Sequence, residues 1–248
     1  MRLTVVGCSG SFPGPTSPAS CYLVEADGFR VLLDLGAGAL GALATHVDVG
    51  SIDAVVLSHL HPDHCIDMCG YYVARKYRPD GALPRIPVHG PADTPSRMAA
   101  AYGLPEDPGM TEQFDFRKLT AGEPFEIGPF RFHTDRTVHP IEAYAIRVEH
   151  GGKALVYSGD SGVCDELVRL ATGADLFLCE ASFHDGRDVA PDVHLTGSQA
   201  AEHATRAGVP RLLLTHIPPW NDPARTLSEA ADFEGRVDLA CPGATYEI

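Results

Sequence analysis

Residues 57–64 read Leu-Ser-His-Leu-His-Pro-Asp-His, which puts His59, His61, Asp63 and His64 directly after the apolar run Ala54-Val55-Val56-Leu57. The run reads as a buried strand, and the end of a strand is a rigid mount for a ligand-bearing loop. Imidazole and carboxylate together suit zinc, manganese or iron. Alternate residues of an extended segment point the same way, so His59, His61 and Asp63 share a face while His64 turns to a neighbouring point. One short loop can thus serve two metal ions. The alternative is a histidine-rich surface loop, which four such residues at this spacing fit poorly.

The block is the signature of the metallo-β-lactamase superfamily, and the chain resembles that family along nearly its whole length. The resemblance implies further ligands downstream, with candidates in the expected order. They are His139 in Thr137-Val138-His139-Pro140, Asp160 in Ser158-Gly159-Asp160-Ser161 and His216 in Leu214-Thr215-His216. It also implies an α/β fold: an αββα four-layer sandwich of two mixed sheets flanked by helices. On this reading one divalent ion takes His59, His61 and His139, the other takes Asp63, His64 and His216, and Asp160 bridges both. Zinc is expected, with manganese or iron as alternatives. Two cations roughly 3.5–4 Å apart lower the pKa of a shared water and yield a nucleophile at neutral pH. They also offset charge on a phosphodiester in the transition state. Asp63 is placed to orient that nucleophile and accept its proton.

Composition narrows the class. A chain of 248 residues without a linker or composition shift fits one domain, residues 1–248. A formal net charge of −14 opposes a broad nucleic-acid footprint. The one basic run, Arg75-Lys76-Tyr77-Arg78, is either a local patch or a helix end whose cations complement the dipole. The cysteines, Cys8, Cys21, Cys65, Cys69, Cys164, Cys179 and Cys241, are odd in number and read as thiols in a reducing cytosol. Met1 to Gly7 reads as a strand opening rather than a signal peptide, and no segment resembles a membrane span. A cytoplasmic protein is expected, and a homodimer is compatible with it.

Strands are expected at Leu3–Val6, Tyr22–Ala26, Phe29–Asp34, Ala54–Leu57, Ile86–His89, Phe114–Leu119, Pro129–Thr134, Tyr144–Glu149, Ala154–Tyr157, Leu176–Cys179 and Arg211–Leu214. Helices are expected at 36–46, 67–76, 94–102, 165–171, 196–207 and 228–233. Thr196 followed by Gln199 forms a capping-box pattern. Residues 103–112 read as a variable loop near the pocket.

Two further motifs narrow the resemblance to the ribonuclease Z-like branch. Asp192-Val193-His194-Leu195-Thr196 resembles that branch's His-Ser-Thr or His-Leu-Thr motif, whose histidine helps the leaving oxygen depart. Cys179-Glu180-Ala181-Ser182 resembles its His-Glu-Ala-Thr segment, with Glu180 retained and the histidine and threonine replaced. Glu180 either holds the His194 imidazole and raises its pKa, or forms a surface salt bridge. Ribonuclease Z carries a Gly- and Lys-rich arm that grips precursor tRNA, and the acidic stretch between His89 and His139 offers no counterpart.

The likeness is closer to the actinobacterial atypical class II 3′,5′-cyclic nucleotide phosphodiesterases. It rests on Gly7 to Ser11, Ser17 to Ser20, Leu57 to Cys65, Tyr157 to Gly162 and Leu212 to Trp220. The resemblance implies a metal-dependent phosphodiesterase that hydrolyses cyclic AMP to 5′-AMP. The partner is then a small cyclic nucleotide, not an extended nucleic acid or a membrane. The alternatives are a ribonuclease Z-type endoribonuclease, a lactone or thioester hydrolase, and a non-catalytic binding module on the same fold. Trp220, in Pro218-Pro219-Trp220, either stacks on a purine or packs against its own loop.

Overall fold

The computed structural model describes residues 1–190 and 192–248. The chain first lays down β1 (Arg2–Gly7), β2 (Cys21–Ala26), β3 (Phe29–Leu33), β4 (Ala54–Val56), β5 (Ile86–Gly90) and β6 (Phe114–Lys118). A second sheet follows: β7 (Phe125–Ile127), β8 (Phe130–Arg136), β9 (Tyr144–His150), β10 (Lys153–Tyr157), β11 (Leu176–Glu180), β12 (Arg211–Thr215) and β13 (Arg236–Leu239). Then β14 (Thr245–Glu247) returns to pair antiparallel with β1. Among the described residues each sheet has seven strands, in the orders β14-β1-β2-β3-β4-β5-β6 and β13-β12-β11-β10-β9-β8-β7. In each sheet an antiparallel half joins a parallel half, β3 to β6 and β10 to β13.

Period-two alternation explains the layers. Val31, Leu33, Ala54 and Val56 point into a core shared with Ile146, Leu155, Leu178 and Leu213 of the opposite sheet. The residues between them, Leu32 and Val55, face the other way, into a core closed by Leu43, Met68 and Tyr72. On the second sheet Val156, Phe177 and Leu214 face outward onto Leu167, Ala200 and Ala204. A strand apolar on both faces must be covered on both, so each sheet has the other sheet on one side and helices on the other. The first sheet's helices are α1 (Ala39–Leu43), α2 (Pro62–Cys65), α3 (Met68–Lys76) and α4 (Thr94–Tyr102). The second sheet's are α5 (Asp165–Ala171), α6 (Gly197–Ala207) and α7 (Pro223–Glu229). This is the expected αββα sandwich.

Several local expectations are corrected. The late helix is α7 at Pro223–Glu229, not 228–233, because Asp222 caps it by accepting from the Ala224 N–H and Pro223 stands in its first turn. Asp63 is not extended with His59 and His61; it lies with His64 in α2, entered through Pro62. The helix near 36–46 shrinks to α1, and β7, β13 and β14 were not read from the sequence. The basic run is no patch. Arg75 is 1% exposed, with its guanidinium on the Tyr71 hydroxyl and the Pro84 carbonyl, and Lys76 pairs with Glu112 at 2.7 Å. The capping box forms as expected, with Thr196 and Gln199 satisfying each other's backbone N–H.

Loops at the carboxyl ends of the parallel strands meet at one edge of the sandwich, where open α/β sheets place their sites. The fit there is tight. A Cβ on Gly36 would lie 1.9 Å from the Asp63 carbonyl oxygen, so only glycine lets the β3 and β4 loops approach. We therefore expect Gly36→Ala to destabilise the fold by about 1–3 kcal/mol, the usual cost of overpacking. Gly41, in α1 with nothing within 4 Å of its Cβ position, is the control, and Gly41→Ala should be neutral or stabilising. Thermal unfolding of both variants checks this; equal melting temperatures would show that the loop contact carries no constraint.

Candidate metal centre

Five histidines and two carboxylates from loops of both sheets converge at that edge. His59, His61, Asp63 and His64 follow β4, His139 follows β8, Asp160 follows β10 and His216 follows β12. His59 Nε2 and His139 Nε2 each stand 3.1 Å from His61 Nδ1. His64 Nε2 is 3.0 Å from His216 Nε2, which is 3.1 Å from Asp63 Oδ2. Asp160 stands between the two groups. Its Oδ2 is 3.5 Å from His59 Nε2, and its Oδ1 is 3.2 Å from His64 Nε2 and 3.4 Å from His216 Nε2. Every sequence-predicted ligand is brought to this point, in two groups: His59, His61, His139 and Asp160, and Asp63, His64 and His216.

The outer hydrogen bonds fix which ring nitrogens face inward. The Ser58 hydroxyl donates to Asp34 Oδ2 at 2.8 Å, which leaves its lone pair to accept from His59 Nδ1 at 3.0 Å. His64 Nδ1 donates to Asp34 Oδ2 at 2.7 Å, and His139 Nδ1 to the Val193 carbonyl at 2.9 Å. The Ser182 hydroxyl donates to the His216 carbonyl and accepts from His216 Nδ1, each at 2.7 Å. In the neutral rings all four Nε2 atoms then carry lone pairs; those of His64 and His216 face each other, and those of His59 and His139 face His61 Nδ1.

Lone pairs crowded at 3.0–3.5 Å repel unless positive charge sits among them. Nitrogens bound at 2.0–2.1 Å to one tetrahedral cation stand roughly 3.3 Å apart, close to the spacing seen. Asp160 Oδ1 is buried without a hydrogen-bond partner, an acceptor aimed at the same point. The donor set therefore fits divalent cations: His59, His61 and His139 would hold one, Asp63, His64 and His216 a second, and Asp160 would be available to both.

The electrostatics agree. Burial, together with the neighbouring imidazoles, holds His59, His61 and His139 below the usual histidine range, hence neutral. Burial alone would raise Asp160, but His216, His64 and His59 hold it well below the usual carboxylate range. Asp63 is likewise held down against burial, by its hydrogen bond to His216 and the charge of His64. Against burial, Asp160 and Asp34 raise His64 well above its ordinary value. The negative charge that holds that proton is the charge a divalent cation would meet.

Glu180 is fully buried and forms no surface salt bridge. Its Oε1 accepts from His194 Nδ1 at 2.8 Å and from the Ser161 N–H at 2.9 Å, and its Oε2 accepts from the Ser182 N–H at 3.1 Å. His194 is mostly buried, and one of its ring nitrogens falls within 4.8 Å of donor atoms of Asp160 and His216. Burial opposes its charge, but Glu180, by charge and by hydrogen bond, and then Asp160, push its pKa up to about 9.

Asp34 was not singled out from the sequence. It lies just past β3 with φ 61° and accepts from the Ser58 N–H, the Ser58 hydroxyl, His64 Nδ1 and the Tyr157 hydroxyl. The signal was a carboxylate closing the apolar run Val31-Leu32-Leu33 before Leu35-Gly36, where a turn residue is equally in keeping. Asp34→Asn should lower metal affinity about 10- to 100-fold, the usual cost of losing a partner that orients a ligand. Chelator competition on folded protein checks this; unchanged affinity would show that His64 needs no such anchor.

Comparison with known proteins agrees with this geometry. The family described as beta-lactamase superfamily domain matches residues 29–217. An uncharacterized protein of Mycobacterium leprae is 47% identical over 254 residues, spanning 100% of this chain and 89% of that protein. The probable metallo-hydrolase YhfI of Bacillus subtilis is 30% identical over 254 residues, spanning 100% of both. The YhfI crystal structure covers 99% of each chain at 29% identity with a TM-score of 0.88. A ribonuclease Z of Mycolicibacterium gilvum is 30% identical over 250 residues, spanning 91% of this chain and 87% of that protein. With its sandwich, its ligand loops and this match, the chain belongs to the beta-lactamase superfamily and has the metallo-β-lactamase fold.

Proposed function

We propose that the protein is a binuclear metal-dependent phosphodiesterase that hydrolyses 3′,5′-cyclic nucleotides, cyclic AMP to 5′-AMP. The observation that carries this reading is the buried His194–Glu180 pair set beside a complete two-cation donor set. Hydrolysis of a cyclic phosphodiester expels a poor alkoxide leaving group and gains from an acid, whereas a thioester expels a thiolate and needs it less. One cation would be held by His59, His61, His139 and Asp160, the other by Asp63, His64, His216 and Asp160. When bound, they would supply Lewis acidity and a water acidified toward neutrality. Asp63, ionised and partly open to the site, receives the proton of the attacking water. His194, charged through Glu180, gives its proton to the departing 3′ oxygen as the bond from phosphorus to that oxygen breaks. Glu180 keeps the ring in one orientation through the whole step.

Charge and shape favour a small substrate. The net charge is −14, and Arg75, the first residue of the one basic run, is spent in the core. Between His89 and His139 the described chain is occupied by α4, a turn-rich loop and β6 to β8, and no helix or strand in it stands apart as an arm. The likeness to cyclic nucleotide phosphodiesterases in the loops around Ser9, Asp160 and Trp220 points the same way. The ribonuclease Z of Mycolicibacterium gilvum supports the second reading, cleavage of precursor tRNA. A complete donor set disfavours a non-catalytic binding module. All seven cysteines are free, as suits a reducing cytoplasm, and no helix among the described residues is long and apolar enough to cross a membrane.

Metal-loaded protein assayed side by side against cyclic AMP, cyclic GMP, bis(p-nitrophenyl) phosphate and precursor tRNA should turn over the cyclic nucleotides best. Efficient tRNA cleavage with inert cyclic nucleotides would reverse the ranking, and turnover of lactones alone would replace the reaction class. His194→Ala should leave metal content near normal and lower turnover of cyclic AMP by about 10²–10⁴, the scale of a lost general acid. The loss should be smaller for bis(p-nitrophenyl) phosphate, whose leaving group needs little protonation. Equal losses on both substrates, or loss of a metal ion, would show that His194 has another role.

A further inference from the structure

We propose that Phe12 and Trp220 form a platform on which the base of a nucleotide substrate stacks, at the His216 side of the centre. The proposal rests on the phosphodiesterase reading above and names the part of the substrate that the donor set does not touch. Trp220 is 63% exposed and Phe12 41% exposed, and their rings pack at 5.0 Å between centroids with planes tilted by 40°. Together the two rings leave a small aromatic surface in water that a flat ring can cover.

The loops that carry the two rings are tied to the backbone around His216. The Gly10 N–H donates to the Ile217 carbonyl at 3.2 Å, and Ser9 bridges to Ile217. The Ser9 hydroxyl donates to the Phe12 carbonyl at 2.7 Å. A Cβ on Gly10 would lie 2.2 Å from the His216 carbonyl oxygen, so this loop packs directly on the ligand residue. On the other side the Asn221 N–H closes a turn onto the Pro218 carbonyl at 2.9 Å, and the Asn221 amide donates to the Ser182 carbonyl at 2.7 Å. Ser182 is the residue whose hydroxyl fixes the His216 ring. Phe12 is two residues from Gly10, and Trp220 four from His216, at most about 7 and 14 Å of chain. That is the scale on which a nucleotide separates its phosphate from its base.

The occupant follows from chemistry and size. Every base has a π-face, and an aromatic platform binds it without a basic groove, as an acidic protein requires. A second copy of the chain needs more surface. Stable interfaces bury about 800 Å² per partner, and two partly covered rings of about 150–250 Å² each fall short of that.

Trp220 is the single tryptophan of the chain, so its fluorescence reports the platform alone. The test titrates the zinc-loaded full chain with 5′-AMP and with ribose 5-phosphate, which lacks the base. AMP should quench Trp220, and ribose 5-phosphate should not. Trp220→Ala should raise KM for cyclic AMP about tenfold, the scale of one lost base–aromatic stack, with a smaller change in kcat. Trp220→Phe should recover most of the loss, and Phe12→Ala should move KM in the same direction. If Trp220→Ala misfolds by circular dichroism, the wild-type titration decides. Hydrolysis of cyclic AMP with no AMP-specific quench and an unchanged KM would overturn the platform and leave the phosphodiesterase reading standing. AMP-specific quenching without any hydrolysis of cyclic AMP would do the reverse. A dimer that Trp220→Ala turns into a monomer by light scattering, with KM unchanged, would make the pair a contact between copies and overturn the proposal.

Discussion

The carboxylate of Asp34 ties the two sheets together at the edge where the ligands meet. It sits past the end of β3 in the first sheet and receives the Tyr157 hydroxyl from β10 of the second, at 2.8 Å. The same two oxygens hold the Ser58 N–H, the Ser58 hydroxyl and His64 Nδ1. A buried carboxylate without partners is costly, so this residue is stable only while all of these groups stay in place. Its left-handed backbone, φ 61°, is a second cost offset by the same contacts. Nearby, the Tyr22 hydroxyl meets the Thr215 hydroxyl at 2.6 Å, a further polar link between the sheets just ahead of His216.

Around that anchor the polar groups form one connected arrangement rather than a set of separate ligands. Each of four histidines gives its outer N–H to a named acceptor, so its inner nitrogen is committed before any cation arrives. His216 itself has φ 57°, an unfavourable backbone for a residue with a side chain, and Ser182 holds both its ring and its carbonyl. Preorganisation of this kind moves the cost of ordering the ligands into folding and out of metal binding. The centre is therefore coupled to the packing of both sheets.

Glu180 extends the arrangement away from the metal donors. Two backbone N–H groups and one imidazole use its carboxylate, so it is satisfied without solvent. Ser182, two residues past Glu180, donates its N–H to that carboxylate and its hydroxyl to the His216 carbonyl, so the short segment after β11 touches both the partner of His194 and His216. Groups tied to one another by such contacts keep a fixed separation, which any two groups that act on one substrate require.

The sequence by itself, read with the family resemblance, determined the order of the candidate ligands along the chain and the layers of the fold. Ligands at the ends of apolar runs are local features, and alternation between two buried faces is written residue by residue in runs such as Val31-Leu32-Leu33. The capping box at Thr196 is equally local and formed as read. What only the tertiary structure decided were the roles of residues whose meaning depends on distant partners. Asp34 reads as the last residue of a strand until Tyr157 arrives from the other sheet, and Glu180 could equally lie on the surface. Arg75 reads equally as part of a basic patch or as a cation at a helix end, and Tyr71 and Pro84 are then seen to hold its guanidinium in the last turn of α3. Trp220 finds Phe12 across more than two hundred residues of sequence. In each case the side chain's chemistry is visible in the chain, while its desolvation and its partner are set by contacts between elements far apart in sequence, which no local pattern encodes.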